Sequence, residues 1–293
     1  MEDKFAKVRA RAKANLALNI EGVKDGMHIL DSVLTSIDLY DELEVRFHSG
    51  GDIAVAYYDG FTGENIPAPE GDTVTRALRY LRGFMPSLGA SVSVKKRIPV
   101  GGGVGGSSAD AAAVIFAAKE LYALSGNVIN GAVSVGSDVP AMVYGGAVRL
   151  RGVGESVVNL YCPQLHIVVV RKGGGVSTRE VFKEFDRIYP SLKYAPSDIS
   201  ALIASLKSGM GIENNIGNAL TLPAINLCPD IKEVLGLICE TNASVSFMTG
   251  SGSCCCGLYD SSAAALNAVE YLCSKGLFAV YAPSYGEGNS IVG

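Results

Sequence analysis

The chain has 293 residues, 48% of them hydrophobic and 18% charged, with a formal net charge of -4 at pH 7. Apolar content at that level with so little net charge excludes a disordered chain, and the lack of a basic surplus argues against a nucleic-acid module. Glycine is the outlier, with 35 residues where an average chain of this length carries about 20, which suits loops that must approach a ligand closely.

From Val8 the even positions read Val8, Ala10, Ala12, Ala14, Leu16, Leu18 and Ile20, and the odd ones Lys7, Arg9, Arg11, Lys13, Asn15, Ala17 and Asn19. That alternation predicts one long strand and places Lys13 and Asn15 on its polar face. The short side chains that continue this face, Asn15, Ala17 and Asn19, leave room for a ligand. Further strands are expected at 43–47, 53–57 and 92–94, and a helix at 73–82, where Val74, Ala77, Leu78 and Leu81 share a face. Residues 99–106 read PVGGGVGG. The SSADAAAVIFAAKELYAL that follows is a helix by propensity, with Ser107 or Ser108 as its cap and Asp110 as the acid of a capping box. A strand at 165–170 opens the second half, and helices are expected at 178–187, 197–208 and 229–240. Then come a strand at 244–248, a TGSG turn at 249–252, a strand at 254–259, a helix at 261–275 and a strand at 277–282. The passage from alanine- and glycine-rich sequence to a half punctuated by proline and asparagine puts a boundary near 155–163, dividing the chain into 1–160 and 161–293.

All seven cysteines follow residue 160. Cys254, Cys255 and Cys256 are consecutive, so they alternate across a strand instead of forming a CxxC clip. They read as small buried hydrophobes in a reducing compartment. The three histidines, His28, His48 and His166, form no HExxH motif, which argues against a zinc enzyme, and no metal ligand is singled out. The longest strongly apolar stretch, 165–170, is too short to span a bilayer, and Glu2 and Asp3 interrupt a signal-peptide pattern. A cytoplasmic protein with no nucleic-acid or membrane partner is expected.

The arrangement strand, PVGGGVGGSS, helix carries the chemistry. Glycines turn the backbone, the first helical turn leaves N–H groups unpaired, and the helix dipole adds positive potential at the same spot, so a phosphate binds there without a special side chain. A P-loop would need a lysine after the glycines, and none follows. Gly101, Gly103 and Gly106 satisfy GxGxxG, but Glu120, about 20 residues on, falls inside the predicted helix instead of at a strand end, against a dinucleotide fold.

The run PVGGGVGGSSADAA resembles the phosphate loop of the GHMP kinases. The resemblance continues, in order and over nearly the whole chain, through AKANLALNI, DGMHIL, VGSDVPAMVYGG, RGVGE, GGVSTREVF and MTGSGSCCCGLYD. It implies a two-domain α+β fold, ribosomal-protein-S5-domain-2-like then ferredoxin-like, with the site between the domains. It implies ATP, with Mg2+, on the loop of Pro99, Val100, Gly101, Gly102, Gly103, Val104, Gly105, Gly106, Ser107, Ser108 and Ala109. Lys13 and Asp138 match the family's catalytic pair: an aspartate can accept the proton of an alcohol, and a neighbouring ammonium keeps it ionised and offsets phosphoryl charge. Asn15, His28 and the turn residues Gly250, Ser251 and Gly252 match positions that touch the substrate. Lys96 and Arg97 read either as nucleotide contacts or as a solvated strand end. The acceptor that the resemblance implies is the 2-hydroxyl of 4-diphosphocytidyl-2-C-methyl-D-erythritol, in non-mevalonate isoprenoid precursor synthesis. The alternatives are a mevalonate- or homoserine-like alcohol, or a catalytically reduced nucleotide-binding paralogue. The chain departs from the family pattern at Arg11 (usually proline), Met27 (usually tyrosine) and Ala219 (usually aspartate).

Overall fold

The computed structural model describes residues 2–69 and 71–292. The alternating N-terminal segment is a strand of 21 residues, β1 (Lys4–Lys24), paired antiparallel with the 23-residue β2 (Met27–Ser49). The strand expected at 43–47 is thus only the end of β2. Its first half has no clean alternation, and cross-strand packing on β1, more than its own pattern, holds it extended. Next come β3 (Ile53–Asp59), the short β4 (Asn65–Ile66), α1 (Thr73–Leu81) and β5 (Leu88–Lys96), with β3 and β5 parallel. The Asp72 carboxylate caps α1 by accepting the Val74 N–H at 2.9 Å, and the helix buries Val74, Ala77, Leu78 and Leu81 as its spacing predicts.

The Ala-rich α2 (Gly106–Leu121) is buried on nearly every face, because the sheet and neighbouring helices surround it. The small α3 (Asn127–Asn130), α4 (Val139–Tyr144), β6 (Ala147–Gly152) and β7 (Ser156–Leu160) follow. β5 pairs with the near half of β2 and β6 with its far half, which splays one ribbon into two branches.

The rest of the chain comprises β8 (His166–Arg171), α5 (Thr178–Ile188), α6 (Ile199–Ser208), β9 (Gly217–Asn218), α7 (Thr221–Leu227), α8 (Asp230–Cys239), β10 (Val245–Met248), β11 (Cys255–Tyr259), α9 (Ser262–Ser274), β12 (Phe278–Tyr281) and β13 (Ser290–Ile291). An antiparallel second sheet has the order β10-β11-β8-β12, the split β-α-β pattern. Cys254 and Cys256 face the core shared with α2, and Cys255 faces the core beneath α8 and α9, as period two requires. Burial pushes the Cys254 thiol up to about 12, which keeps it an inert packing group. The short β9 and β13 stand outside this sheet and pair with β1, so the last residues return to the first sheet.

One irregularity shapes the site. Pairing of β1 with β2 slips by one residue between Asn15 and Ala17. A single extra residue inverts the phase of everything after it. Leu16 and Ala17 therefore both pack in the core with α2, while Leu18 and Ile20 turn toward the second unit's core. Of the expected face of Asn15, Ala17 and Asn19, only Asn15 lines the cleft, and after the slip Leu18 takes the next place on its wall. Asn19 faces the other way, and its carboxamide pairs with both backbone groups of Ser197 at 2.8 and 2.9 Å. Among the described residues no helix is long and apolar enough to cross a membrane.

Candidate active site

Lys13 and Asp138 meet. The Lys13 ammonium, on β1, lies 3.5 Å from an Asp138 carboxylate oxygen at the start of α4. Lys13 is 3% exposed, while the Asp138 side chain keeps 28% of its surface open to the cleft, so the acid is the member of the pair that an incoming hydroxyl can reach. A chain of hydrogen bonds orients the amine. Lys13 donates to Asn15 Oδ1, the Asn15 amide donates to Ser32 Oγ at 2.9 Å, and Ser32 donates to the Ala17 carbonyl at 2.6 Å. Each buried polar group in that series has a partner, which holds the ammonium at one point.

Two glycine-rich loops converge on the same point. In the first, the Gly105 backbone has φ +78 and serves as the N-cap of α2, and the first helical bond runs from the Ala109 N–H to the Gly105 carbonyl at 2.8 Å. The N–H groups of Gly106, Ser107 and Ser108 precede that bond and remain available for an anion. Neither serine caps the helix and Asp110 completes no capping box, contrary to expectation. A left-handed glycine starts the helix two or three residues earlier and pushes both hydroxyls into the first turn. In the second loop, Thr249 Oγ1 accepts the Asn15 N–H at 2.9 Å and Asn218 donates to the Gly250 carbonyl at 2.8 Å. A Cβ on Gly250 would come to 2.9 Å of the Lys13 amine, and one on Gly105 to 3.1 Å of Lys13 Cγ. The two turns thus close around the lysine, and the cleft between them holds about 320 Å³.

Behind the glycine-rich loop sits a charged cluster. The Lys96 ammonium is held by Asp41 and by Asp110 at 2.6 Å, and Asp41 also accepts the Ile98 N–H at 2.8 Å. Lys96 touches the cleft wall, but its amine belongs to this cluster; Arg97 pairs with Glu42 at 3.3 Å. Burial raises the Asp110 pKa well above the ordinary carboxylate value, with the second carboxylate, Asp41, adding to it. Burial opposes the charge of Lys96, yet Asp110 and Asp41 hold it above the usual lysine range. A carboxyl raised in the folded state contributes its stability below the ordinary carboxylate range and loses it as pH climbs through the raised value. Lys96 changes the balance only at more alkaline pH. Urea midpoints of wild type and Asp110→Asn, measured from about pH 4 to 8, should show wild type losing stability relative to the variant as pH rises. Parallel curves would show that Asp110 carries no extra proton in the folded state.

Of the loop residues, Pro99, Val100, Gly101, Gly102, Gly103, Gly105, Gly106, Ser107 and Ser108 line the cleft, as do Lys13, Asp138, Asn15, Gly250 and Ser251. Val104 and Ala109 do not; both are fully buried in the core, where their apolar side chains anchor the loop. Gly252 does not either: a Cβ there would point at Met248 and Ile231 inside the second unit. His28 stands behind the wall. Its ring packs on Phe182 with centroids 4.5 Å apart and its Nε2 meets Asp186 at 2.9 Å, while Phe182 itself faces the cleft. Met27, at the hairpin tip, is 53% exposed. Sequence reasoning overlooked Ser32, whose partners lie on another strand, Thr249, which ties the second turn to β1, and Thr178, whose hydroxyl meets that of Ser251 at 2.7 Å. It also overlooked the Asp41–Lys96–Asp110 cluster. Only the TGSG motif itself pointed toward Thr249.

The chain resembles known proteins over most of its length. A family model for the N-terminal domain of the GHMP kinases matches residues 72–146, and one for their C-terminal region matches residues 199–276. A 4-diphosphocytidyl-2-C-methyl-D-erythritol kinase of Pelotomaculum thermopropionicum is 36% identical over 257 residues, covering 85% of this chain and 87% of that protein. Its counterpart in Caldicellulosiruptor bescii is 31% identical over 274 residues, covering 91% and 93%. A solved 4-(cytidine 5'-diphospho)-2C-methyl-D-erythritol kinase superposes with a TM-score of 0.75 at 29% identity, over 97% of this chain and 100% of that one. A homoserine kinase from Cytophaga hutchinsonii superposes at 0.71 with 19% identity, over 98% and 97%, and shares the fold.

Proposed function

The chain belongs to the GHMP kinases, and from that membership we propose that its cleft transfers the γ-phosphoryl group of ATP to the 2-hydroxyl of 4-diphosphocytidyl-2-C-methyl-D-erythritol. It is a small-molecule kinase of two α+β domains, like its relatives. The observation that carries the mechanism is the buried Lys13 amine at 3.5 Å from Asp138, where two glycine turns converge. The free N–H groups at the start of α2 bind the triphosphate, the dipole of that helix adding to their potential. Asp138 accepts the hydroxyl proton as the oxygen attacks. Lys13 offsets charge on the phosphoryl group in flight. The turn at Gly250 and Ser251 offers a second set of backbone groups, suited to a substrate that already carries a diphosphate.

Magnesium on the triphosphate would neutralise charge on the β- and γ-phosphates. The phosphate loop contributes the Ser107 and Ser108 hydroxyls to that end of the cleft. Among the described residues no three acidic, histidine or cysteine side chains gather as a metal site. That donor set fits an ion that takes most of its ligands from phosphate and water.

The substrate assignment rests on relatives named for this activity at 31–36% identity. The alternative alcohols rest on a shared fold at 19% identity or less. Incubating the protein and ATP with the cytidyl alcohol, mevalonate and homoserine in turn, with the products followed by phosphorus NMR, tests it. Phosphorylation of the cytidyl alcohol alone is expected. Turnover of an alcohol that carries no nucleotide, with none of the cytidyl compound, would overturn the substrate assignment.

A further inference from the structure

The catalytic pair proposed above comes from two elements far apart in the chain, and the end of the chain bridges them. After β12 the backbone leaves the second sheet and runs back across the first. The Tyr285 N–H donates to the Ser36 carbonyl at 2.8 Å, and β13 then pairs with β1 at Val8 and Arg9. Between these two points lies Asn289, 6% exposed. Its side-chain oxygen accepts the Arg11 N–H at 3.3 Å, and its amide donates to the Met142 carbonyl at 3.2 Å. Arg11 stands two residues before Lys13 on β1. Met142 is one turn along α4 from Asp138, and its N–H bonds the Asp138 carbonyl at 3.0 Å.

The strap is seated tightly. The Arg11 guanidinium lies 3.5 Å from the Tyr285 ring centroid and donates to the Gly288 carbonyl and to Ser290 Oγ, each at 3.0 Å. A Cβ on Gly145, which ends α4, would overlap the Gly288 backbone. The Met142 carbonyl is in the last turn of its helix and has no intrahelical donor, so Asn289 also supplies a bond that the helix end lacks. The β1–β2 register shifts between Arg11 and Lys13, so regular pairing alone does not carry a fixed position from Arg11 to the amine.

We propose that Asn289 is a positioning residue for phosphoryl transfer: its carboxamide ties β1 to α4 and thereby sets the separation of Lys13 and Asp138. The proposal rests on the reading of those two residues as the catalytic pair. Asn289 does not line the cleft, so losing it should leave binding intact and slow the chemical step.

Asn289→Leu has a similar volume and removes both hydrogen bonds. Its kcat is expected to fall by about tenfold to a hundredfold, with KM for ATP and for the alcohol within about twofold of wild type. In an Asp138→Asn background the same substitution should produce no further loss, because the pair it positions is already broken. In the variant's crystal structure the Lys13–Asp138 separation should depart from 3.5 Å. An unchanged kcat, an undiminished loss in the Asp138→Asn background, or an unaltered separation would each overturn the proposal. Should Asn289→Leu not fold, Asn289→Ser, too short to reach both partners, is read in the same way. A wild type that phosphorylates none of the alcohols would sink the catalytic reading, while the separation measured in the variant would still decide what the strap does.

Discussion

Asp138→Asn should lower kcat by about a thousandfold, or roughly 4 kcal/mol of transition-state stabilisation, with KM for ATP little changed. The substitution keeps the shape of the side chain and removes its capacity to take a proton. Lys13 then remains beneath the glycine turns with no carboxylate at 3.5 Å, so the attacking hydroxyl loses its acceptor while the phosphate loop is untouched. Steady-state kinetics on the purified variant, with its melting curve to show that it is folded, provides the check. A loss smaller than about tenfold would remove Asp138 from proton transfer, since a positioned base typically contributes at least a hundredfold.

The second large effect concerns the seam between the two glycine turns. At Gly103, where φ is +74, an added methyl would overlap the Thr249 carbonyl and come to 2.8 Å of the Gly252 nitrogen. Both neighbours are backbone and neither can swing aside. Gly103→Ala therefore combines an unfavourable left-handed conformation with overpacking, a cost of about 2–4 kcal/mol. The melting temperature should drop by roughly 3–7 °C. Because relief comes only by parting the turns, kcat/KM for ATP should fall as well, on the order of tenfold or more. Calorimetry and initial rates measure the two separately. A variant as stable and active as wild type would show that the turns do not interlock at this residue.

Much of the candidate site was legible because it is written locally. A glycine run ahead of an alanine-rich helix makes an anion site from backbone alone, and the alternation around Lys13 marks a strand. The buried cluster behind the loop was not legible, because Lys96 lies 55 residues from Asp41 and 14 from Asp110, and no short-range pattern links them. The helix cap was misjudged for a subtler reason. Ser107 and Ser108 are good capping residues, but the left-handed Gly105 opens the helix before them, and which residue turns the chain depends on what the loop packs against.

Periodicity and contiguous motifs by themselves marked the long first strand and the anion loop, while the class of fold and the choice of Lys13 and Asp138 as a candidate pair came from the family resemblance that those motifs carry. The tertiary structure alone decided which of those residues face one another. A one-residue slip between Asn15 and Ala17 turned Leu18 toward the second unit and Asn19 away from the cleft. The returning C-terminal strap brought Asn289 to both β1 and α4. Such features arise because strand register and the packing of distant segments are settled by the summed burial and hydrogen bonding of the whole chain, which no window of neighbouring residues contains.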